Sequence, residues 1–422
     1  MKRMFNIFLM GLLALVGVTG CGNDTNGDGI ELTWLLSTGS TAERGKFNDL
    51  VERYYEQTGI TVNIIEVPSG DRETKIQSML LSDEPIHLAK TTGVDLTFID
   101  RILPLNDIYD EFDFFEGHEF RINDGEDVVG LMIGLSSVGL ILNTDLWEQA
   151  GVEFPTSTDE AWSWHEFLGK LEEVIDHSDA QYGMVMDGSE HRLRAFLYQW
   201  GVTGYNEDFT GTYYGSELMR EPLEFFVNMN DDRIMPRSVW LGAEDSISMF
   251  KTGRIAAHMS TIGRIADYNE TVSDFNWQAV SMPYEVAPAT NHGGNVLISF
   301  NETGLEEETK DFIRWLYTDD YPALLADFGW LPALEGFEDI EYPFRNEDWQ
   351  VYLNETIIGS EMSAHDKMGE RWDLKDSGWN QVNNVIIENV RLHLSGDITM
   401  DEVLENISNT YREAGFEVLS SQ

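Results

Sequence analysis

The sequence predicts an α/β fold in two lobes, and three observations carry that prediction. Strand-like and helix-like apolar patterns take turns from residue 30 onward, the rhythm of a sheet covered by helices. A chain of 422 residues exceeds what one ordinary core organises. Apolar residues make up 42%, and the acidic residues are spread along the chain instead of forming a tail, so the composition is that of a folded protein.

In chain order, residues 1–20 read as an export signal. Lys2 and Arg3 form a positive start, Phe5 to Val18 an apolar run shorter than a bilayer span, and Val18-Thr19-Gly20 leads into Cys21. Small residues there admit a peptidase to the backbone, and the thiol can carry a diacylglyceryl group. Cys21 is the only cysteine, so it has no disulfide partner within the chain. Residues 21–29 are rich in Gly, Asn and Asp, which predicts a flexible tether. Asp24, Asn26, Asp28 and Gly29 start like a calcium loop, but Leu35 stands where the bidentate Glu is required.

Ile30, Leu32, Trp34 and Leu36 alternate as a first strand. Ser40-Thr41-Ala42-Glu43 is a capping box, after which Phe47, Leu50, Val51, Tyr54 and Tyr55 share a helical face that Thr58-Gly59 ends. Val62 to Val67 is dense in Val and Ile, as in a parallel strand covered on both faces. Ile76, Met79 and Leu80 mark a second helix. Further strands are expected at Val138–Leu142, Phe275–Val280 and Val296–Phe300. Helical stripes follow at Phe312–Tyr317, Val382–Val390 and Val403–Tyr411.

There are 27 Lys and Arg against 75 Asp and Glu, a formal charge of −48. Such a surface repels nucleic acid and anionic lipid, and it suits a salty or alkaline exterior. Catalytic motifs fall short. Gly134-Leu135-Ser136-Ser137-Val138-Gly139 misses the nucleophile elbow by one residue. His118-Glu119 and His165-Glu166 begin like zinc motifs, but Ile122 and Gly169 occupy the second histidine's place. No phosphate loop is present. No metal, cofactor or catalytic residue is therefore expected, and the chain is expected to be monomeric.

Several segments, in order, resemble the extracellular solute-binding proteins of ABC transporters, carbohydrate class, the group that includes maltose-binding proteins. The resemblance rests on Tyr54 to Val62, Lys75 to Leu80 and Leu103 to Asp107. Leu140 to Val152 (LILNTDLWEQAGV) is the most specific match. Phe196 to Asp208, Phe250 to Met259, Phe312 to Leu316, Gly329 to Ala333 and Met400 to Leu404 continue it. The sequence departs from the family at Ile86, where an Asp is usual, at Leu140-Ile141, where a Tyr pair is usual, and near Arg264, where an aromatic residue is frequent.

The resemblance implies a class II periplasmic-binding-protein-like fold: two α/β lobes with the ligand cleft between them. It implies crossings near Gly134–Val138, Gln278–Pro283 and Tyr317–Asp320. Lobe 1 would then be 30–136 plus 280–318, and lobe 2 would be 137–279 plus 319–422. It also implies a sugar or oligosaccharide ligand, hinge closure, and ABC permease subunits as partners of a lipoprotein on the outer face of the membrane. The alternatives are a secreted glycoside hydrolase, or the same fold serving a non-sugar solute or a sensor.

Sugar rings stack their C–H faces on aromatic rings, and their hydroxyls pair with planar polar side chains. The candidate stacking residues are Trp34, at the end of the first strand, Trp200, Trp240, Trp330 and Trp379; each has a plain packing role as its alternative. The candidate polar contacts are Ser69, Asp71, Asp83 and Asn295 in lobe 1, with Asp187, Glu190 and Arg264 in lobe 2. A solvated carboxylate is the alternative for the acidic ones. Arg264 has two readings, a partner for an acidic sugar or a bridge to a neighbouring carboxylate.

Overall fold

The computed structural model describes residues 29–37, 41–68, 71–82, 84–115, 117–155, 160–318, 320–337, 339–371 and 382–420. The expected signal segment, Cys21, most of the tether, Ser40, Ser69, Asp83 and Trp379 lie outside these residues.

The alternating start forms β1 (Glu31–Leu36), the helix Thr41–Thr58 follows, and the Val/Ile run forms β2 (Thr61–Glu66). The helix Arg72–Leu81 then leads to β3 (Leu88–Thr91), β4 (Glu119–Ile122) and the 17-residue β5 (Asp127–Asn143). After β5 come β6 (Tyr182–Met186), the short β7 (Gly211–Thr212), β8 (Ile255–Thr261), β9 (Trp277–Val280), β10 (His292–Ser299) and the short β11 (Glu417–Val418). Nine strands form one sheet in the order β2-β1-β3-β10-β5-β8-β6, with β4 and β9 also paired to β5.

β5 joins two halves. Its residues 131–137 pair with β10, while Val138 to Asn143 pair with β8 and β9. The partner changes between Ser137, opposite His292, and Val138, opposite Thr261. The sheet is mixed, not parallel throughout. β1 runs parallel to β2 and β3, and β6 to β8, because helices return the chain between them. β10, β4 and β9 run antiparallel to β5.

Two expected boundaries differ from the packing. The stretch after β9 stays with the second half: Tyr284 N donates to Trp162 O, Val286 N to Gln199 O, and Thr290 N to Gly359 O. The helix Tyr321–Phe328 buries Tyr321, Leu324 and Leu325 in the same core as Leu32, Trp34 and Phe312. The first half therefore takes up β10 from His292 and continues past residue 318, since the apolar face of that helix has its core there.

A helix, Asn346–Ile358, pins β9 and the stretch that follows it. The Asp348 carboxylate accepts from Ala279 N at 2.6 Å and Glu355 from Met282 N at 3.1 Å. Glu355 is buried, and desolvation pushes its carboxyl up to about 7 against the bonds from Met282 and Ser281.

A candidate ligand cleft between the two halves

Ligands in open α/β sheets sit beyond the carboxyl ends of the parallel strands. Here those ends meet at one cavity of about 740 Å³. From the first half, Thr92 to Asp95 follow β3 and Glu73 comes from the helix Arg72–Leu81. From the second half come His191 and Arg192 after β6, and Thr261 at the end of β8. Lys367 and Glu370 project from the helix Ser360–Arg371. Ser136 and His292 to Gly294 form the floor, where the halves join.

The floor is a hydrogen-bonded polar chain. His118 Nδ1 lies 3.1 Å from Phe115 O and its Nε2 lies 2.8 Å from His292 Nδ1. A carbonyl only accepts, so His118 donates from Nδ1, and His292 donates to His118 Nε2. His292 N donates to Ser363 Oγ, which donates to Asn291 Oδ1, and Asn291 Nδ2 donates to His191 O. Burial, with Arg192 and Lys367 nearby, pushes the His191 imidazole down to about 3, so it is neutral at physiological pH.

Beside the floor stands an aromatic pair. Phe328 and Trp330 stack at 4.7 Å with 23° between planes, and both are half-buried. Lys90 Nζ lies 5.8 Å from the Trp330 ring and donates to Asn295 Oδ1 at 3.1 Å. A Cβ on Gly134 would lie 2.7 Å from Trp330 Cβ, so the glycine in β5 is what lets the indole lie on the strand. Of the residues expected from sequence, Trp330 and Asn295 thus meet around Lys90; Asn295 follows Gly294 of the cavity floor, but neither residue is part of the cavity lining.

The others sit elsewhere. Trp34 is fully buried edge-on to Phe47 and Phe312, because β1 is covered on both faces. Trp240 is buried against Phe226, and Trp200 packs among His165, Phe196 and Phe225. Asp71 is exposed and does not line the cavity. Arg264 bridges to Asp267 at 2.8 Å, the second of its two readings.

Glu190 is structural. Its Oε1 accepts from Arg194 at 2.8 and 3.1 Å, and its Oε2 accepts from Ile386 N and Ile387 N at the start of the helix Val385–Ser395. Asp187 lies just behind the cavity wall. It accepts from Ser246 Oγ, His258 Nε2, Ser260 Oγ and twice from Arg192, and these donors hold its carboxyl far below the usual range. His191, Arg192, His292, Lys367 and Glu370 were not anticipated. The turn Asp187 to Arg192, a strand end feeding a helix start, was the available signal for the first two.

Residues 49–351 match the family described as bacterial extracellular solute-binding proteins. The chain belongs to that family. A binding protein of Brucella abortus (strain 2308) is 21% identical over 337 residues, 74% of this chain and 78% of its own length. Among solved structures, a Listeria monocytogenes ABC substrate-binding protein in complex with cycloalternan aligns with TM-score 0.69 at 20% identity. That alignment covers 92% of this chain and 100% of the other. The cyclic α-maltosyl-1,6-maltose binding protein of Arthrobacter globiformis aligns with TM-score 0.70 at 17% identity, over 92% and 99% of the two chains. The maltodextrin-binding domain from Bdellovibrio bacteriovorus, bound to maltotriose, gives 0.67 at 13%, over 91% and 99%. These likenesses establish the two-lobed fold of the solute-binding family. Among the described residues, no helix is long and apolar enough to cross a membrane, and no group of three or more His, Cys, Asp or Glu is arranged to hold a metal ion.

Proposed function

We propose that this protein captures a sugar or short oligosaccharide outside the cell and hands it to the permease of an ABC importer, held to the membrane by a lipid on Cys21. The observation that carries the reading is the cavity of about 740 Å³ lined from both halves of the sheet, within the usual size range of small-molecule sites. A ligand that touches both halves only when they approach favours the approached state, and that differential affinity drives hinge closure. The half-buried Phe328–Trp330 pair offers an apolar face for a pyranose ring, and the polar floor offers partners for hydroxyls. The solved relatives that are named for or bound to glucose oligomers support a carbohydrate over other solutes.

A ligand that binds only the native state raises its melting temperature. In a thermal-shift panel of mono-, di- and oligosaccharides, at least one sugar is expected to raise it, and the sugar is expected to be recovered unaltered. Trp330→Ala is expected to weaken that sugar by about 1 kcal/mol or more through loss of the stacking face. A panel that gives shifts only with amino acids or peptides contradicts the sugar assignment.

A further inference from the structure

Arg192 occupies a place in the fold that local energetics disfavour. It is the third residue of the helix Glu190–Gln199, where the positive end of the helix favours anions and not cations. Its side chain nonetheless lines the cavity, with 17% exposure. Its Nε and Nη2 both donate to Asp187 Oδ2, at 3.1 and 2.8 Å, which fixes one edge of the guanidinium. Nη1 donates to Ser189 Oγ at 3.3 Å. What is left is the outer edge, one N–H on each of Nη1 and Nη2, pointing the same way from a planar group.

Asp187 is itself clamped. Ser246 Oγ and His258 Nε2 donate to its Oδ1 at 2.6 and 2.9 Å, and Ser260 Oγ donates to its Oδ2 at 2.5 Å. His258 is fully buried and in turn lies 2.5 Å, Nδ1 to oxygen, from the Tyr268 hydroxyl. The carboxylate therefore has no freedom to follow the arginine. The arginine is held by it, and its charge is offset by it.

Resting on the carbohydrate reading above, we infer that Arg192 is a specificity-determining contact of the second half. Its outer edge gives paired hydrogen bonds to two adjacent hydroxyls of an uncharged sugar, and Asp187 is its positioning residue. The ion pair is what makes the edge suit neutral ligands: a guanidinium already matched to a carboxylate has little to gain from a second one. Removing the negative charge of Asp187 leaves the arginine uncompensated and turns the same edge toward carboxylates.

The test compares maltotriose with a trimer of galacturonic acid by calorimetry, on the full chain at two salt concentrations, after the panel above has identified a neutral sugar to use if maltotriose is silent. Arg192→Lys keeps the charge and loses the planar fork, and it is expected to weaken the neutral sugar roughly 10- to 100-fold. Asp187→Asn is expected to weaken the neutral sugar and to raise the ratio of uronate to neutral affinity at least about tenfold, with a steeper salt dependence for the uronate. A merely structural role for Asp187 would lower both affinities together and leave the ratio unchanged. If Asp187→Asn does not fold, Arg192→Lys and Arg192→Gln decide alone. Wild-type binding with these variants unchanged overturns this inference and leaves the carbohydrate reading standing; a wild type that binds no sugar overturns both.

Discussion

Replacing Arg194 by Met is expected to destabilise the fold by about 3–5 kcal/mol, enough to unfold much of the second half at growth temperature. Arg194 is buried, with Glu190 on one side and Glu370 on the other, and its guanidinium lies 5.0 Å from the Tyr214 ring. Without the cation, two carboxylates share a dry site. Glu190 would keep its bonds from Ile386 N and Ile387 N, but Glu370 would lose its close charge partner in Arg194 while facing the ligand cavity. Chemical denaturation at several pH values checks this. The loss should shrink as pH falls, because protonating the carboxyls removes the uncompensated charge. Combining Arg194→Met with Glu190→Gln and Glu370→Gln should recover part of the loss. A variant as stable as wild type at pH 8 would show that the triad carries no net burden.

The second large effect belongs to Glu355, and its sign runs opposite to that of an ordinary surface carboxylate. Its carboxyl is pushed up to about 7 in the fold, against an ordinary value of 4.5. Between those values the native state keeps a proton that the unfolded chain releases. The contribution is therefore fully present below about pH 4.5 and is lost as pH rises through about 7. The full difference is on the order of 3 kcal/mol. Glu355→Gln, which stays neutral, should match wild type near pH 4.5, exceed it by an amount that grows up to about pH 7, and hold a level excess above about pH 8, read as the difference in unfolding free energy. Because Glu355 holds Met282 N where the chain runs from β9 toward the floor of the cleft, the same titration should loosen that stretch, seen as faster amide exchange at Met282 above pH 7. A constant gap across pH would mean that the group titrates normally.

Alternation located β1, Val/Ile density located β2, and period-3.6 stripes located the N-terminal helices and the C-terminal pair, although β2, at the sheet's end, buries only Val62 and is not covered on both faces. They showed only the C-terminal part of β5, Val138–Leu142. Gly130, Gly134 and Gly139 interrupt its apolar run, and the reason is tertiary: a Cβ at those positions would lie 2.9 Å from Val296, 2.7 Å from Trp330 and 2.4 Å from Tyr352. The strand that joins both halves is thus written in glycines that only its neighbours explain.

The site was legible in part. Trp330 precedes a Leu-Pro turn and Asn295 follows a Gly pair, and both come near the cavity floor without entering the lining. Trp34 and Trp240 show where that logic stops, since a tryptophan near a strand end or in a loop is as easily a core residue, and here the packing around both is complete. Among the acidic residues, Asp187 and Glu190 were expected as ligand contacts. Neither lines the cavity; both serve arginines, and the pairings Asp187–Arg192, Glu190–Arg194 and Arg194–Glu370 depend on side-chain directions that spacing alone does not fix.

Two halves joined at β5 that shut on an unaltered sugar change the shape of the molecule on binding. Small-angle scattering of the protein, with and without the sugar that gives the largest thermal shift, measures that change. The expected result is a smaller radius of gyration with sugar bound, reversed on dialysis, with the sugar recovered intact. Scattering profiles that superimpose with and without saturating sugar, or recovery of shortened sugar, would contradict it.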